Sequence, residues 1–366
     1  MVSIVILTYN GEKTINDCLD SVLKQTYYNI ELIVVDNVST DGTIKMIKSR
    51  VYENGSRGIR IIENKKNIGF AGHNIGIENS GGEFVLCVNQ DVILEPDFVS
   101  ETVKIFQQDE KIGTVQGKIL TKESRIKNQE SRIIDTTGIT AFKSRRFIDG
   151  GQGEKDKGQY DKIEEVFGVN GAVAFFRKEC LEDVKLFVSR HPESSSGSDS
   201  VGHSNEYEML NQAQYDEGDE YYDLDFFMYK EDIDLSWRIR LYGWKIMYCP
   251  TAIAYVERTS KFINDKSRTG QIINARKKQS QFIKSLSFKN HHLAIIKNDL
   301  PRLFVKHLIW ILPREIGAWL YVLFFEPKTW PAIIDLFRQM PLAIEKRKII
   351  MKNKKVGIKE MEKWFV

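Results

Sequence analysis

The densest run of chemically capable side chains in this 366-residue chain is Tyr229-Lys230-Glu231-Asp232-Ile233-Asp234-Leu235-Ser236-Trp237-Arg238. Three carboxylates open what reads as a helix, just after the aromatic stretch Phe226, Phe227, Tyr229. Acids in a first turn suit the helix dipole. Three exceed what a cap needs, and one could serve as a general base that deprotonates an acceptor hydroxyl. A second set lies in the first hundred residues. Thr8, Tyr9, Asn10 and Glu12 offer a hydroxyl, a stacking ring and further acceptors, and Asp36 can accept from a nucleobase N–H or a ribose hydroxyl. Read alone, Asp36-Asn37 is also what a helix-capping turn looks like. Between Asn67 and Gly76, with Phe70 and Asn74 among them, Gly69, Gly72 and Gly76 would let backbone amides approach a ligand closely. The spacing is not a dinucleotide fingerprint, and the run precedes the fourth strand rather than following the first. Asn89-Gln90-Asp91 supplies one carboxylate, Asp91, to a hard divalent cation on a diphosphate, or to a cap.

Positioning these groups requires a parallel sheet. Val2–Leu7 is a continuous apolar run ending in Thr8-Tyr9-Asn10-Gly11, the pattern of a buried parallel strand. Thr14–Gln25 sets Ile15, Leu19, Val22 and Leu23 on one helical face, and Leu32–Val35 is a second strand stopped by Asp36-Asn37. Ser39–Gly42 reads as the start of the next helix, followed by strands at Ile59–Ile62 and Phe84–Val88. Alternation at this spacing predicts right-handed crossovers, with ligands beyond the carboxyl ends of the strands. Gly150–Tyr160 reads as a mobile loop, Ser189–Glu220 as a disordered or lid-like insertion, and the chain beyond about Lys261 as amphipathic helix.

A hydrophobic content of 42%, with 28% charged residues, excludes wholesale disorder. The net charge of only +3 gives no global argument for nucleic acid as a partner, although basic residues gather in the C-terminal third. Cys18, Cys87, Cys180 and Cys249 lie in no metal or redox spacing and read as buried free thiols, which fits a reducing compartment. The chain opens directly into a strand-like run, so no signal peptide is expected. Leu303–Phe325 is too interrupted by Lys306, His307, Pro313, Arg314 and Glu315 to predict a clean transmembrane span. Its aromatics and flanking Arg302, Lys306 and Arg314 suit a helix lying on a bilayer, or else one packed on the core.

In order and spacing, six strings resemble family 2 glycosyltransferases, particularly a rhamnosyltransferase-like branch. They are Val5–Asn10, Val34–Gly42, Asn67–Ala71, Asn89–Asp91, Asn170–Ala172 and Glu231–Leu235. The resemblance runs from Val2 to about Arg258. It implies an α/β GT-A fold, with a Rossmann-like, mostly parallel central sheet flanked by helices and a C-terminal amphipathic helical region. The expected division is 1–260 for the catalytic domain (nucleotide-binding half 1–100, acceptor half 101–260 with insertion 189–220) and 261–366 for the helices.

It further implies a nucleoside-diphosphate sugar donor, dTDP-rhamnose-like or a UDP-sugar, held by the residues of the first three strand ends with Asn67, Gly69, Phe70, Asn74 and Asn89. Asp36 falls at the nucleobase. Asp91 falls at a magnesium or manganese ion, in the place of the second carboxylate of the family's Asp-x-Asp. Asp232, assisted by Glu231, falls at the base, with Asn170, Gly171, Trp237 and Arg238 on the acceptor side. A base with no partner nucleophile points to inversion. The acceptor expected is a glycan or lipid-linked hydroxyl in cell-surface polysaccharide assembly, met at the inner face of the cell membrane by a cytoplasmic, peripheral enzyme. One departure is that Ala254–Arg258 lacks the His that many members carry there, so that Glu257 could substitute. Two other readings compete. A nucleotidyltransferase would need a Gly-rich basic loop after the first strand, which Thr8–Glu12 is not. An inactive GT-A scaffold is favoured by the single carboxylate at Asp91 and opposed by the intact Glu231-Asp232.

Overall fold

The computed structural model describes residues 1–53, 58–126, 132–187, 219–257 and 276–366. The apolar runs form strands where the sequence predicts them. The first ninety residues hold β1 (Val2–Thr8), α1 (Ile15–Leu23), β2 (Ile30–Asp36), α2 (Thr43–Glu53), β3 (Ile59–Glu63), α3 (Gly72–Glu78) and β4 (Phe84–Asn89). These strands are parallel, in the order β3-β2-β1-β4. Their register sets Thr8 beside Asp36 and Leu7 beside Asn89. Three polar strand ends therefore share one rim, where ligands of open α/β sheets bind.

The chain continues through β5 (Val92–Leu94), α4 (Phe98–Phe106), β6 (Ile112–Thr121), β7 (Ile134–Thr136), β8 (Ile139–Ala141), β9 (Phe147–Asp149), β10 (Glu164–Glu165) and β11 (Val173–Arg177), of which β8 and β9 pair as a separate ribbon. Then come α5 (Lys178–Val184), β12 (Leu186–Phe187), β13 (Asp219–Glu220), α6 (Glu231–Leu241) and β14 (Lys245–Val256). Strand β11 runs antiparallel to both β4 and β6, whereas β14 returns parallel to β6. This is a curled, mostly parallel central sheet flanked by helices, the α/β arrangement expected. One apolar core lies on each face. Val2, Ile4, Ile6 and the inner faces of α1 and α4 make the first. Val5, Val85, Phe176, Trp237 and Ile239 anchor the second.

The C-terminal helices are α7 (Gln281–Asn298), α8 (Pro301–Lys306), α9 (Leu308–Phe325), α10 (Trp330–Asn353) and α11 (Ile358–Glu362). They are bonded into the catalytic half through buried ions. Lys297 Nζ reaches Asp234 Oδ2 at 2.8 Å and also holds Asp223. Lys346 Nζ reaches Glu220 at 2.8 Å and Asp225 at 2.7 Å. Removing one partner from such a set leaves a buried charge uncompensated, typically at ~3–5 kcal/mol.

The segment expected to be a mobile loop, Gly150–Tyr160, is tied down instead. Buried Lys118 bonds Asp156 at 3.2 Å and Asp161 at 2.5 Å, and the Tyr248 hydroxyl donates to Tyr160 O at 3.0 Å. Glycine and lysine content alone did not reveal an anchor supplied by β6. The polar insertion 189–220 lies outside the described residues except for Asp219–Glu220, which pair with Leu186–Phe187. The basic run from Lys261 to Arg268 also lies outside them. Helix α9 has 18 residues, a mean hydropathy of 1.5 and 11% burial, so by length and composition alone it could cross a membrane. Its charges at Arg314 and Glu315 are engaged at its inner side by His291 and His292 of α7.

Candidate active site

On the rim of β1 and β2, two loops are joined into one wall. Asn10, left-handed at φ 48°, donates its N–H to Ser39 Oγ (2.9 Å) and accepts from Thr40 N (2.8 Å). Glu12 N–H donates to Asp41 (3.1 Å), and the Glu12 carboxylate accepts from Gly42 N (3.3 Å). Asp36 is buried and accepts from Ser39 N at 2.9 Å, which fixes its carboxylate at the strand end. Tyr9 is 42% exposed, leaving a ring face open for stacking. Gln90 braces this wall. Its side-chain oxygen accepts from Thr8 Oγ1 and Tyr9 N (2.5 and 2.9 Å), and its Nε2 donates to Tyr9 O (3.0 Å).

Several other expected ligand residues are braces too. Asn37 is buried and donates to Gly69 O at 2.7 Å. Asn67 accepts from Gly69 N at 2.9 Å, closing the turn. Asn74 exchanges two bonds with the backbone of Tyr222 (2.7 and 2.8 Å). Asn89 faces the buried His73 at 3.5 Å, and burial lowers that imidazole's pKa to about 4. Gly69 is left-handed at φ 62°, and a Cβ there would fall 2.1 Å from Phe227 O. Only glycine permits that approach.

Asp91 follows β4 with its pKa raised, first by burial and then by the neighbouring Glu257, with Lys122 opposing. The Lys122 ammonium lies 3.2 Å from Glu257 and 3.6 Å from Asp17, so these acids already hold one cation. Asp91 makes no such ion pair with the described residues, and a carboxylate oxygen is the hard ligand that magnesium or manganese takes. Among the described residues no group of three or more His, Cys, Asp or Glu side chains is placed to hold a metal ion. Such an ion would take its remaining ligands from diphosphate and water.

Across the rim, α6 brings the acids to the pocket. Asp232 Oδ2 accepts from Gly171 N (3.2 Å) and Oδ1 from Ile233 N at the helix start (2.8 Å). Its pKa is raised by burial and then by Asp149, while Lys230 lowers it. Glu231 is pushed up to about 8 by burial and then by Asp232. Gly171 packs between Asp232 and Phe70, because a Cβ there would meet Phe70 Cζ at 3.0 Å and Asp232 Cβ at 3.4 Å. Asn170 Nδ2 donates to Asp149 at 2.8 Å, and its backbone N–H donates to Gln116 at 2.7 Å. Asp232, Asn170, Gly171 and Phe70 thus lie side by side, with Glu231 next to Asp232 in the chain.

Trp237 and Arg238 belong elsewhere. Trp237 is 1% exposed and packs on Phe147, Phe167 and Phe365. Arg238 is fully buried, donating to Val184 O at 2.6 Å and pairing with Asp234 at 3.3 Å. They were expected at the acceptor because a polar-looking helix usually shows its charges to solvent. Here the helix is enclosed, and Arg238 and Asp234 are paired inside it. Reading the sequence missed Asp149 and Asn290, and named Lys230 without giving it a role. Asp149 ends a short strand before Gly150-Gly151, a faint signal, and Asn290 in mid-helix gave none.

The Glycosyl transferase family 2 profile matches residues 3–184. The poly-beta-1,6-N-acetyl-D-glucosamine synthase of Staphylococcus epidermidis is 23% identical over 258 residues, covering 70% of this chain and 49% of that one. The chain spans between 36% and 49% of the length of the first curated relatives it matches. Among solved structures, S. aureus TarS 1-349 in complex with UDP-GlcNAc superposes with a TM-score of 0.51 at 16% identity, covering 96% of this chain and 88% of that one. GalNAc-T7 with UDP, GalNAc and Mn2+ gives 0.52 at 12% identity, covering 81% and 48%. With the sheet, the rim and the acids in place, residues 3–184 carry a glycosyl transferase family 2 domain, and the chain has the GT-A fold.

Proposed function

We propose that the chain transfers a sugar, with inversion, from a nucleoside diphosphate to a hydroxyl of a glycan or lipid-linked acceptor. The observation that carries this reading is the Asp232 carboxylate, held by two backbone N–H groups beside Phe70, whose neighbour Gly69 is bonded to Asn37 at the end of β2. Those N–H bonds and the helix start favour its ionised form, while burial and Asp149 oppose it. Glu231, with its pKa at about 8, keeps its proton at neutral pH and leaves the negative charge to Asp232. Asp232 then takes the proton of the acceptor hydroxyl as that oxygen attacks the anomeric carbon from the face opposite the diphosphate. The transition state there is oxocarbenium-like. A divalent ion at Asp91, with Glu257 beside it, would offset charge on the departing diphosphate.

Both superposed structures hold UDP or a UDP-sugar by name. A UDP-sugar is therefore the first donor to test, ahead of the dTDP-rhamnose suggested by branch resemblance. The acceptor is read as membrane-bound because α9 and α10 leave large apolar side chains uncovered, among them Ile309, Trp310, Phe324, Phe325, Trp330 and Phe337. Exposed Lys306 and Arg338 accompany them. Apolar and aromatic groups beside cations suit a helix lying in an anionic bilayer surface. The test is calorimetric titration with UDP, dTDP and GDP, each with and without manganese. Metal-dependent binding of one nucleotide is expected; binding of none would return the chain to the scaffold reading.

A further inference from the structure

The loop that delivers the acids to the pocket has an unusual backbone. Phe227, Tyr229 and Lys230 are all left-handed, at φ 60°, 69° and 74°, and none is glycine. Non-glycine residues persist there only when the surroundings over-determine them, and they cluster where a mechanism needs a fixed geometry. One side chain does most of the fixing. Asn290, fully buried on α7, points Nδ2 at three carbonyls of the loop, which share its two hydrogens: Phe226 O at 2.7 Å, Met228 O at 2.9 Å and Tyr229 O at 2.8 Å. Its Oδ1 has no hydrogen-bond partner among the described residues, so the amide is oriented by the loop alone. Only the N–H₂ face can meet three oxygens.

The same loop is bonded to the donor side. Phe227 O accepts from Phe70 N at 2.6 Å, and Gly69 O accepts from Asn37 at 2.7 Å, next to Asp36. Backbone and side-chain bonds therefore run without a break from the nucleotide rim, through Gly69-Phe70, into the loop and on to Glu231-Asp232. Asn290 holds the middle of that run from outside the pocket, touching neither end.

We propose that Asn290 is a positioning residue that keeps the Glu231-Asp232 pair in register with the donor rim. The inference rests on the reading of Asp232 as the base. Misplacing a reacting group by about 1 Å can cost on the order of a hundredfold in rate, whereas the nucleotide rim lies on the far side of Phe70. Loss of the clamp should therefore fall on kcat and spare donor binding.

The experiment uses the full chain as wild type, Asn290→Ala, Asn290→Ser and Asn290→Asp. Val103→Ala serves as a destabilised control, since Val103 lies in the core of the opposite sheet face. Asn290→Ala should lower kcat on the UDP-sugar that is turned over by about ten- to a hundredfold, with the donor KM within about threefold. It should also displace the acid limb of the pH–rate profile, because the burial of the acid pair depends on the loop. Asn290→Ser, which restores one donor, should recover part of the rate. Asn290→Asp, which turns a carboxylate toward three carbonyls, should not. Hydrogen exchange of residues 226–232, measured without any substrate, should be faster in Asn290→Ala than in wild type. Unchanged kcat, or a loss no larger than that of Val103→Ala at matched melting temperature, overturns the proposal. So does unchanged exchange at 226–232. If the wild type turns over no UDP-sugar, the proposed activity fails on its own, and the exchange comparison still decides whether Asn290 fixes the loop.

Discussion

Replacing Glu231 with Gln should stabilise the protein, and by an amount set by pH. Glu231 is 7% exposed, and one of its carboxylate oxygens has no hydrogen-bond partner among the described residues. Its pKa rises from an ordinary 4.5 to about 8 through burial and the adjacent Asp232. In the unfolded chain the proton leaves near 4.5, and in the folded chain it stays until about 8. A group raised in this way contributes fully below 4.5, and its contribution is lost as pH climbs through about 8. The loss is about 1.4 kcal/mol per pH unit between those limits. At pH 7 it has reached about 3 kcal/mol, an amount that a glutamine of the same shape would not lose. An unfolding entropy of roughly 2.1 cal/mol/K per residue over 366 residues converts this into a melting-temperature gain of about 4 °C. Scanning calorimetry of both proteins from pH 4 to pH 9 reads it directly. The two should melt together at pH 4, separate steadily and hold a constant gap above pH 8. A gap that does not vary with pH would refute the argument, since it would trace to packing rather than to a retained proton.

Asp232→Asn should lower transfer by about a hundredfold or more while nucleotide affinity by calorimetry stays within a few-fold; normal turnover would remove Asp232 as the base. Asp91→Asn should weaken UDP binding in the presence of manganese and leave the weaker metal-free binding nearly unchanged; equal losses in both conditions would mean that Asp91 holds the loop and not an ion. Phe324→Ser combined with Phe325→Ser should reduce sedimentation with anionic vesicles and leave the melting temperature within about a degree, because both rings are exposed; undiminished vesicle binding would move the membrane contact elsewhere.

The elements that position the donor rim were legible because they obey local rules. The runs Val2–Leu7 and Phe84–Val88 are apolar but for Ser3, as strands buried on both faces are, and their polar ends follow directly. The acids at Glu231 and Asp232 were legible because three carboxylates exceed what a helix start requires. What stayed hidden depends on partners distant in the chain. Nothing near Trp237 announces that Phe147 and Phe365 enclose it, and nothing near Asp234 announces Lys297 and Asn298. For the same reason, residues that look like ligands by type also hold backbone in place. Asn37, Asn67 and Asn74 have the donors and acceptors a nucleotide wants, and so does the backbone they hold.

The buried lysines set an order on how the enzyme comes into being. Asp223 and Asp234 meet Lys297 at sequence separations of 74 and 63, and Glu220 meets Lys346 at 126. As the chain leaves the ribosome, the parallel strands and the rim between Thr8 and Asp36 can close early, because every strand in those pairings has been made by residue 89. The acid-bearing loop has to wait, since its carboxylates cannot be desolvated before their cations arrive. A growing chain would thus be able to hold a nucleotide well before it could aim a base at an acceptor. Catalytic competence would then arrive at once, with the arrival of α10.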